Sequence, residues 1–574
     1  MINVEINGKG HDVEEGGTIL EVINEIGISV PTLCHMKELT PTGACRLCVV
    51  EVEGISGLVP SCSYPVSDGM KIKTHSGRVI QARKTIVELL LSNHPDDCLY
   101  CERSHSCDLN DLAREYGITE KSYPGKERGY PLDVSSLGLI RDPDKCILCG
   151  KCVRVCEEVQ SVSALEFIGR GSNTIVGCTF NEGLNVSSCI SCGQCILVCP
   201  TGALREQSHI PQVVDALSNP KKHVVIQHAP SISVTIAEEF GMKAGTDVAG
   251  KMTTALRMMG FKRVFDSSFS ADLTIIEEGS ELVQRIKTGG KLPMFTSCSP
   301  GWVKFVEQTY PEYVENLSTC KSPQQMLGAI IKSYYAEKNN INPEDIYSVA
   351  IMPCTAKKFE AGRPEMVEKD GTPDIDAVLT TRELAQLIKS YSIKLPELDP
   401  EEADLPFGTR STAGKLFGVT GGVMEAAFRS AHYLVTGKET ENLKLEPVRG
   451  LKEVKKANVK IGDLELGIAV VSGLGNARQL LEEIKAGRDD IHFIEVMTCP
   501  GGCINGGGQP IRADKETIRA RMNALYNIDS TGHLRKSHEN GAVKELYEEF
   551  LGEPLGELSH ELLHTHYKKR DVLL

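Results

Sequence analysis

Residues 491–510 read "IHFIEVMTCPGGCINGGGQP". An apolar, β-branched run ends just before Cys499, and Cys503 follows it at C-x3-C spacing in a loop rich in glycine and proline. A short run of this kind, bounded by turn residues, reads as a strand buried on both faces, which is the habit of parallel sheets covered by helices. The texture recurs through the C-terminal part of the chain. "HVVIQHAP" precedes "SISVTIAEEF", "PMFTSCSP" precedes "GWVKFVEQ", "IYSVAIMPC" precedes "TAKKFE", and "ELGIAVVSGLG" precedes "NARQLLEEIKAG". Strand, loop and helix in alternation predict an α/β domain with parallel sheets over residues 210–574. Ligands of such folds bind outside the carboxyl ends of the strands. Cys298, Cys354, Cys499 and Cys503 stand at those ends, so they are expected to converge on one cleft, with glycines giving a bulky ligand close approach to backbone.

Upstream, cysteine spacing sets the organisation. Residues 1–78 alternate short β-like runs with one helix-like stretch and carry Cys34, Cys45, Cys48 and Cys62 as C-x10-C-x2-C-x13-C, the ligand set of a [2Fe–2S] ferredoxin-like domain. Residues 79–125 hold "HPDDCLYCERSHSC", which offers His94, Cys98, Cys101 and Cys107 to a [4Fe–4S] cluster. Zinc is the alternative occupant of both sites. Residues 126–209 contain a repeat, "CILCGKCVRVC" and "CISCGQCILVCP". Each is C-x2-C-x2-C-x3-C, the two-cluster bacterial ferredoxin run, in which the fourth cysteine serves the other cluster. Cys146, Cys149 and Cys152 are therefore expected to share a cluster with Cys199, and Cys189, Cys192 and Cys195 with Cys156. Four clusters in series read as an electron wire. Of the 21 cysteines, Cys178 and Cys320 fall outside every pattern and read as small buried hydrophobes.

The remaining features narrow the class. The formal charge of −14 disfavours nucleic acid and anionic membranes as partners. No segment approaches a membrane span and the N-terminus lacks a signal-peptide pattern, so a soluble cytoplasmic protein is expected. Neither "FGVTGGVMEAA" nor "GRGSN" makes a convincing nucleotide loop.

"TSCSPGW", "MPCTAKKFE" and "EVMTCPGGCINGGGQP" resemble the three signature segments of the iron-only, or [FeFe], hydrogenases, and "FGVTGGVMEAAFRSA" is also typical. The four-cluster N-terminal half resembles the long clostridial type. The resemblance implies an α+β multidomain chain: a β-grasp ferredoxin-like domain, a one-His/three-Cys domain, a two-cluster ferredoxin-like domain and a two-lobed catalytic domain. It implies H2 ⇌ 2H+ + 2e− at an H-cluster, a [4Fe–4S] cubane joined to a diiron subcluster with CO, cyanide and a bridging dithiolate. Maturation proteins insert the subcluster in that family, so the polypeptide alone is expected to be inactive. Ferredoxin or a similar carrier would exchange electrons with the wire.

Carried over by position, Cys354 and Cys499 would hold the cubane, and Cys503 would also bridge to the diiron unit. Lys357, Pro230 and Ser231 match contacts to the cyanides. Gln324, Met352, Phe417 and Met497 match the pocket wall. The proton path maps onto Cys298, Glu278, Ser318 and Glu281, with Arg285 near its outer end. Without the resemblance, Glu278 and Glu281 would read as an acidic surface helix.

One position departs from the family. Its usual "TSCCP" is here "TSCSP", which puts Ser299 at the place of the fourth cubane ligand and Cys298 at that of the proton relay. Serine is a poor exchange, because iron–sulfur clusters favour soft thiolates and a hydroxyl is harder to deprotonate. Ser299 at the ligand position with Cys298 as relay is the favoured arrangement. A register shift that makes Cys298 the ligand is a second. A weakly bound cubane in an impaired or engineered chain is a third.

Two other functions compete. The N-terminal domains also resemble the electron-wire subunit of respiratory complex I, which suits a subunit of an NAD(P)H-linked or electron-bifurcating hydrogenase fed by flavin-containing subunits. A hydrogenase-like iron–sulfur sensor or assembly factor would keep the lobes but lack the full pocket, and the complete "MPCTAKK" and "CPGGCINGGGQP" segments argue against it.

Overall fold

The computed structural model describes residues 1–126, 128–439, 443–462 and 464–572. At the N-terminus, five short strands make one mixed sheet in the order Lys9–Val13, Ile2–Ile6, Lys71–Lys73, Val49–Val52, Val59–Pro60. The alternating "INVEI" turns Ile2, Val4 and Ile6 to the core, as period-two strands do. Helix Ile19–Glu25 covers that face with Ile19, Leu20, Val22 and Ile23. A Thr18–Glu21 capping box starts it, a device worth about 1 kcal/mol. Strand Lys9–Val13 is missing from the sequence reading, because "KGHDV" presents mostly exposed residues on the sheet edge.

Helix Gly77–Ser92 leads out of this sheet and is tied back to it by Arg83, whose Nη2 donates to the Val49 carbonyl at 2.8 Å. The internal repeat then shows in the backbone. Leu148 and Ser191, at equivalent places, both take left-handed conformations with φ of 55° and 57°, and each is followed by a short helix, Lys151–Arg154 and Gln194–Val198. Two antiparallel strand pairs, Leu139–Arg141 with Leu204–Glu206 and Glu166–Ile168 with Ile175–Gly177, frame the repeat. Glu206 leaves this unit to meet Arg382 of the C-terminal part at 2.8 Å, and the guanidinium holds its carboxyl down at about 2 against the upward push of burial.

The C-terminal part has two four-stranded sheets. The first is wholly parallel, in the order Arg263–Asp266, His223–His228, Ile346–Met352, Ala377–Thr380. The second runs Met294–Phe295, Phe493–Met497, Leu464–Ser472, Val454–Ile461. Its last strand is antiparallel, which corrects the expectation of parallel sheets throughout. Strand Val454–Ile461 buries Lys455, Val459 and Ile461 while its other residues stay partly or fully exposed, the pattern of an edge strand returning through a tight hairpin.

Helix Ser268–Thr288 crosses between the lobes and is buried almost throughout its first 15 residues, Glu277, Glu278 and Glu281 included. The reading of these carboxylates as a surface face is thereby overturned. The helix is enclosed by helices Pro323–Ile330 and Gly422–Thr436 and by the C-terminal helices Gly541–Leu546 and Glu557–Leu563. Among the described residues no helix is long and apolar enough to cross a membrane.

Candidate active site

The carboxyl ends of both sheets open on one pocket. From the parallel sheet come Ala229, Pro230 and Ser231 after His223–His228, Ser267 after Arg263–Asp266, and Pro353 and Cys354 after Ile346–Met352. From the other come Cys298 and Ser299 after Met294–Phe295, and Thr498, Cys499 and Cys503 after Phe493–Met497. Gln324, Met352, Lys357, Phe417 and Met497 complete the wall. Every pocket residue expected from the sequence lines this one space, and its lining is mostly apolar, with the thiols, Lys357, Gln324 and the hydroxyls of Ser231, Ser267, Ser299 and Thr498 as the polar groups.

The three thiols suit a metal cluster. Burial pushes the Cys503 thiol up to about 12, and it raises Cys354 and Cys499 as well. A buried thiolate needs a positive partner, and a [4Fe–4S] cubane supplies one to three at once. Lys357 sits in the first turn of helix Ala356–Ala361, with Nζ 2.8 Å from Glu360 and 3.1 Å from the Cys298 carbonyl. Gln324 donates to the same Glu360 at 3.2 Å. Gln509, quoted in the motif but given no role there, donates from Nε2 to the Cys503 carbonyl at 3.0 Å and to Ser231 Oγ at 3.3 Å.

The adjacent pair behaves asymmetrically. Ser299 is the N-cap of helix Pro300–Thr309, yet its hydroxyl caps nothing. It shares a hydrogen bond of 2.8 Å with Thr498 Oγ1, beside Cys499. The Cys298 thiol is raised far above its usual range by burial and then by the nearby Glu278 carboxylate, with Lys357 opposing.

Glu278, Ser318, Glu281 and Arg285 do not touch the cavity; they form a file behind Cys298. Glu278 is pushed up to about 8, by burial first and by Glu281 second, against bonds from Ser318 and the Ser297 backbone. Its Oε1 is buried without a partner. Ser318 Oγ donates to Glu281 Oε2 at 2.9 Å, and Arg285 grips Glu281 at 2.6 Å from outside.

The accessory cysteines group as their spacing predicts. One cavity of about 420 Å³ is lined by Cys146, Cys149, Cys152 and Cys199, and another of about 440 Å³ by Cys156, Cys189, Cys192 and Cys195. Near the N-terminus, the Cys34, Cys45, Cys48 and Cys62 thiols lie within hydrogen-bonding reach of one another. His94 is 8% exposed and its Nδ1 is a buried atom with no partner, as suits an imidazole waiting for a metal. Cys101 and Cys107 stand close enough to feel each other's charge, and Cys98 is exposed.

These groups also touch in sequence. A Cβ on Gly202 would lie 2.8 Å from Cys101 Sγ, so the one-His/three-Cys segment abuts the two-cluster unit there. Arg154 of that unit donates to the Cys34 carbonyl at 2.5 Å. At the far side, a Cβ on Gly507 would lie 2.2 Å from the Cys192 carbonyl. Cys192 and Cys499 are close enough to raise each other's cost of ionisation. Room for a bulky ligand is thus not what requires glycine at 507; contact with the iron–sulfur unit is.

Known proteins share this arrangement. The profile described as the C-terminal domain of the iron-only hydrogenase large subunit matches residues 222–507, and the iron hydrogenase small subunit matches 515–570. Profiles for a 2Fe-2S cluster binding domain, an NADH-ubiquinone oxidoreductase-G iron-sulfur binding region and a 4Fe-4S dicluster domain match 1–77, 83–122 and 145–203. The NADP-reducing hydrogenase subunit HndD of Solidesulfovibrio fructosivorans is 49% identical over all of both chains. Iron hydrogenase 1 of Clostridium pasteurianum is 43% identical over 99% of this chain and 100% of its own.

The chain belongs to the [FeFe]-hydrogenases.

A solved structure of apo [FeFe]-hydrogenase HydA1 from Chlamydomonas reinhardtii superposes with a TM-score of 0.57 and 43% identity, covering 63% of this chain and 99% of that one. This [FeFe]-hydrogenase therefore carries iron–sulfur domains ahead of the catalytic part.

Proposed function

We propose that this hydrogenase interconverts H2 with protons and electrons at the pocket that Cys354, Cys499 and Cys503 line, served by four accessory clusters on one side and a proton file on the other. The observation that carries this reading is the meeting of Cys354, Cys499 and Cys503 on one pocket, with Gly507 packed against the Cys192 carbonyl on one side and Glu278 near Cys298 on the other. Cys354, Cys499 and Cys503 would hold the cubane, Cys503 would bridge, and Ser299 would occupy the fourth position. The bound H-cluster supplies the two-electron chemistry. The chain's own work is to exclude water with Met352, Phe417 and Met497, to present the Lys357 ammonium and the Ser231 hydroxyl, and to move protons among Cys298 Sγ, Glu278, Ser318 Oγ and Glu281. Electrons would pass between Cys192 and Cys499, and through the Cys146–Cys199 site to the two N-terminal sites. The exposed Cys98, flanked by Leu99 at 94% exposure, marks a port for a ferredoxin or similar carrier. Infrared spectra of matured protein test the centre: CO and cyanide bands with H2 turnover support it, and their absence from active protein overturns it.

A second reading of the partner rests on the full-length likeness to an NADP-reducing hydrogenase subunit and on the 83–122 match. In it the same port serves a flavin-containing subunit of a larger complex. The native mass, and H2-driven reduction of ferredoxin set against that of NADP by the isolated chain, separate the two.

A further inference from the structure

Among the described residues outside the iron–sulfur sites, two groups of side chains could hold a single ion, Glu439, His538 and Glu539 at the surface and a second group that is wholly buried. The cluster cysteines surround volumes of about 420 and 440 Å³, whereas one carboxylate oxygen of Glu281, Cys320 Sγ and a ring nitrogen of His564 lie within 4.8 Å of one another, all buried. Cys320 Sγ is 3.9 Å from Glu281 Oε2 and 4.0 Å from His564 Nδ1. A zinc-class ion, with bonds of roughly 2.0–2.3 Å, holds such donors about 3.2–3.8 Å apart, so the two Cys320 distances are a few tenths of an ångström from ligand spacing and the third pair, within 4.8 Å, would contract by at most about 1–1.5 Å.

The imidazole is already set for the task. Its Nε2 is 3.1 Å from Glu277 Oε2. Glu277 accepts from Tyr547, from Ser559 and from the Leu555 amide. Glu277 Oε2 thus faces Nε2, while Nδ1 lies 2.8 Å from Thr319 Oγ1 and 4.0 Å from Cys320 Sγ; in the neutral ring with its proton on Nε2, the Nδ1 lone pair is the one offered on the Cys320 side. A carboxylate behind a histidine is the support that metal-binding imidazoles use.

Charge and access agree with this. Glu277, Glu278 and Glu281 share one helix, and Arg285 of the same helix is bonded to Glu281. Lys321, next to Cys320, is turned away to Asp374 at 2.9 Å. At the surface, the ring of exposed His560 stacks on His564 with centroids 4.7 Å apart, and His566 is 6.1 Å from His560. These exposed imidazoles give a metal a way in.

We propose that Glu281, Cys320 and His564 form a site for a zinc-class divalent cation, which on binding shuts the proton file. Binding would release the Cys320 thiol proton to solvent, turn the Thr319 hydroxyl away from Nδ1, and take Glu281 Oε2 from Ser318. No electron moves. The inhibitory half rests on the reading of Glu281 as a proton carrier, and the test keeps the two apart.

Matured holoenzyme is titrated with Zn2+, and bound zinc, iron content and H2 evolution are measured. One zinc per chain with unchanged iron and loss of H2 evolution supports the whole proposal. Cys320→Ser, which keeps size and hydrogen bonding, and His564→Gln should each weaken zinc binding by at least about 100-fold, and Glu277→Gln by about 10–100-fold. Zinc bound equally by the Cys320→Ser protein, or bound only with release of iron, overturns the site. Zinc bound as expected without loss of H2 evolution upholds the site and overturns the role of Glu281.

Discussion

On one wall of the cavity Cys499 faces Cys192, a cysteine more than 300 positions earlier, with no covalent or hydrogen-bonded route needed between them. On the other wall Cys298 lies near Glu278, and the outer steps are hydrogen bonds: Ser318 to Glu281 at 2.9 Å and Arg285 to Glu281 at 2.6 Å. Electrons cross gaps between clusters through packed protein, so the electron side tolerates local damage. Protons move only along an unbroken series of donors and acceptors, so on that side each residue is indispensable. The two walls should therefore fail in different ways.

The largest effect belongs to the residue that both walls depend on. Cys503→Ala should abolish H2 turnover and leave the accessory clusters in place, since their ligands all precede residue 210. Wild-type turnover in that variant would remove Cys503 from the mechanism, and electron paramagnetic resonance of the reduced protein checks the other clusters.

Next come breaks in the proton file. Cys298→Ala and Glu278→Gln should each slow turnover by about 10²–10⁴-fold, the range of a lost proton-transfer group, without loss of iron. If Cys298→Ala instead removes the cubane, Cys298 is a ligand and the register has shifted. The file also has a pH signature. Burial sets Glu278 at about 8, so below that pH the carboxyl keeps its proton and can donate toward Cys298. Above it the group ionises beside Glu281. H2 evolution should fall as pH rises through about 8, while H2 oxidation, which needs an acceptor there, should gain over the same interval. Film electrochemistry at fixed driving force measures both directions, and parallel curves would break the assignment.

On the electron side the expected loss is smaller and selective. His94→Ala should alter or remove one cluster and slow exchange with a protein carrier, yet spare turnover with small dyes that reach the catalytic part. Unchanged iron content and spectra in this variant would return His94 to the role of a helix-end residue.

The same contrast governs what could be read from the chain alone. Cluster ligands are local: C-x2-C-x2-C-x3-C fixes four donors within one short loop and helix, and even the crossed pairing of Cys156 and Cys199 was legible. The convergence of Cys298, Cys354, Cys499 and Cys503 was legible from their places at strand ends, whereas the wall residues Gln324, Met352, Phe417 and Met497 came from the family resemblance. The proton file was named only through family resemblance, because "IIEEGSELVQRI" looks amphipathic and acidic; its burial is decided by the helices that enclose it, the C-terminal pair among them. Cys320 shows the limit of local reading most sharply. It is fully buried, as expected of a small hydrophobe, but its sulfur meets Glu281 and His564, which lie 39 and 244 positions away. The antiparallel strand Val454–Ile461 had a readable signal, alternation followed by a hairpin turn, that was outweighed by its parallel neighbours.

The smallest and most informative change is at Ser299, where the two walls meet. Its hydroxyl turns toward Thr498, at 2.8 Å, on the side of Cys499, whereas the Cys298 thiol feels Glu278. Ser299 and Cys298 thus line the same pocket but face different neighbours, as the proposed division between cubane ligand and proton relay would require. A hydroxyl there is a harder donor than a thiolate and resists deprotonation, so three cysteines would carry the cubane with weak or strained help from the fourth position. Ser299→Cys should then raise cubane iron and shift its potential, with the proton file and its pH profile unmoved. Ser299→Ala should lower cubane occupancy if the oxygen ligates and leave it unchanged if it does not. Iron content and redox titration of the two variants side by side decide the matter: equal occupancy in both would show that the fourth position of this cubane is supplied by something other than residue 299.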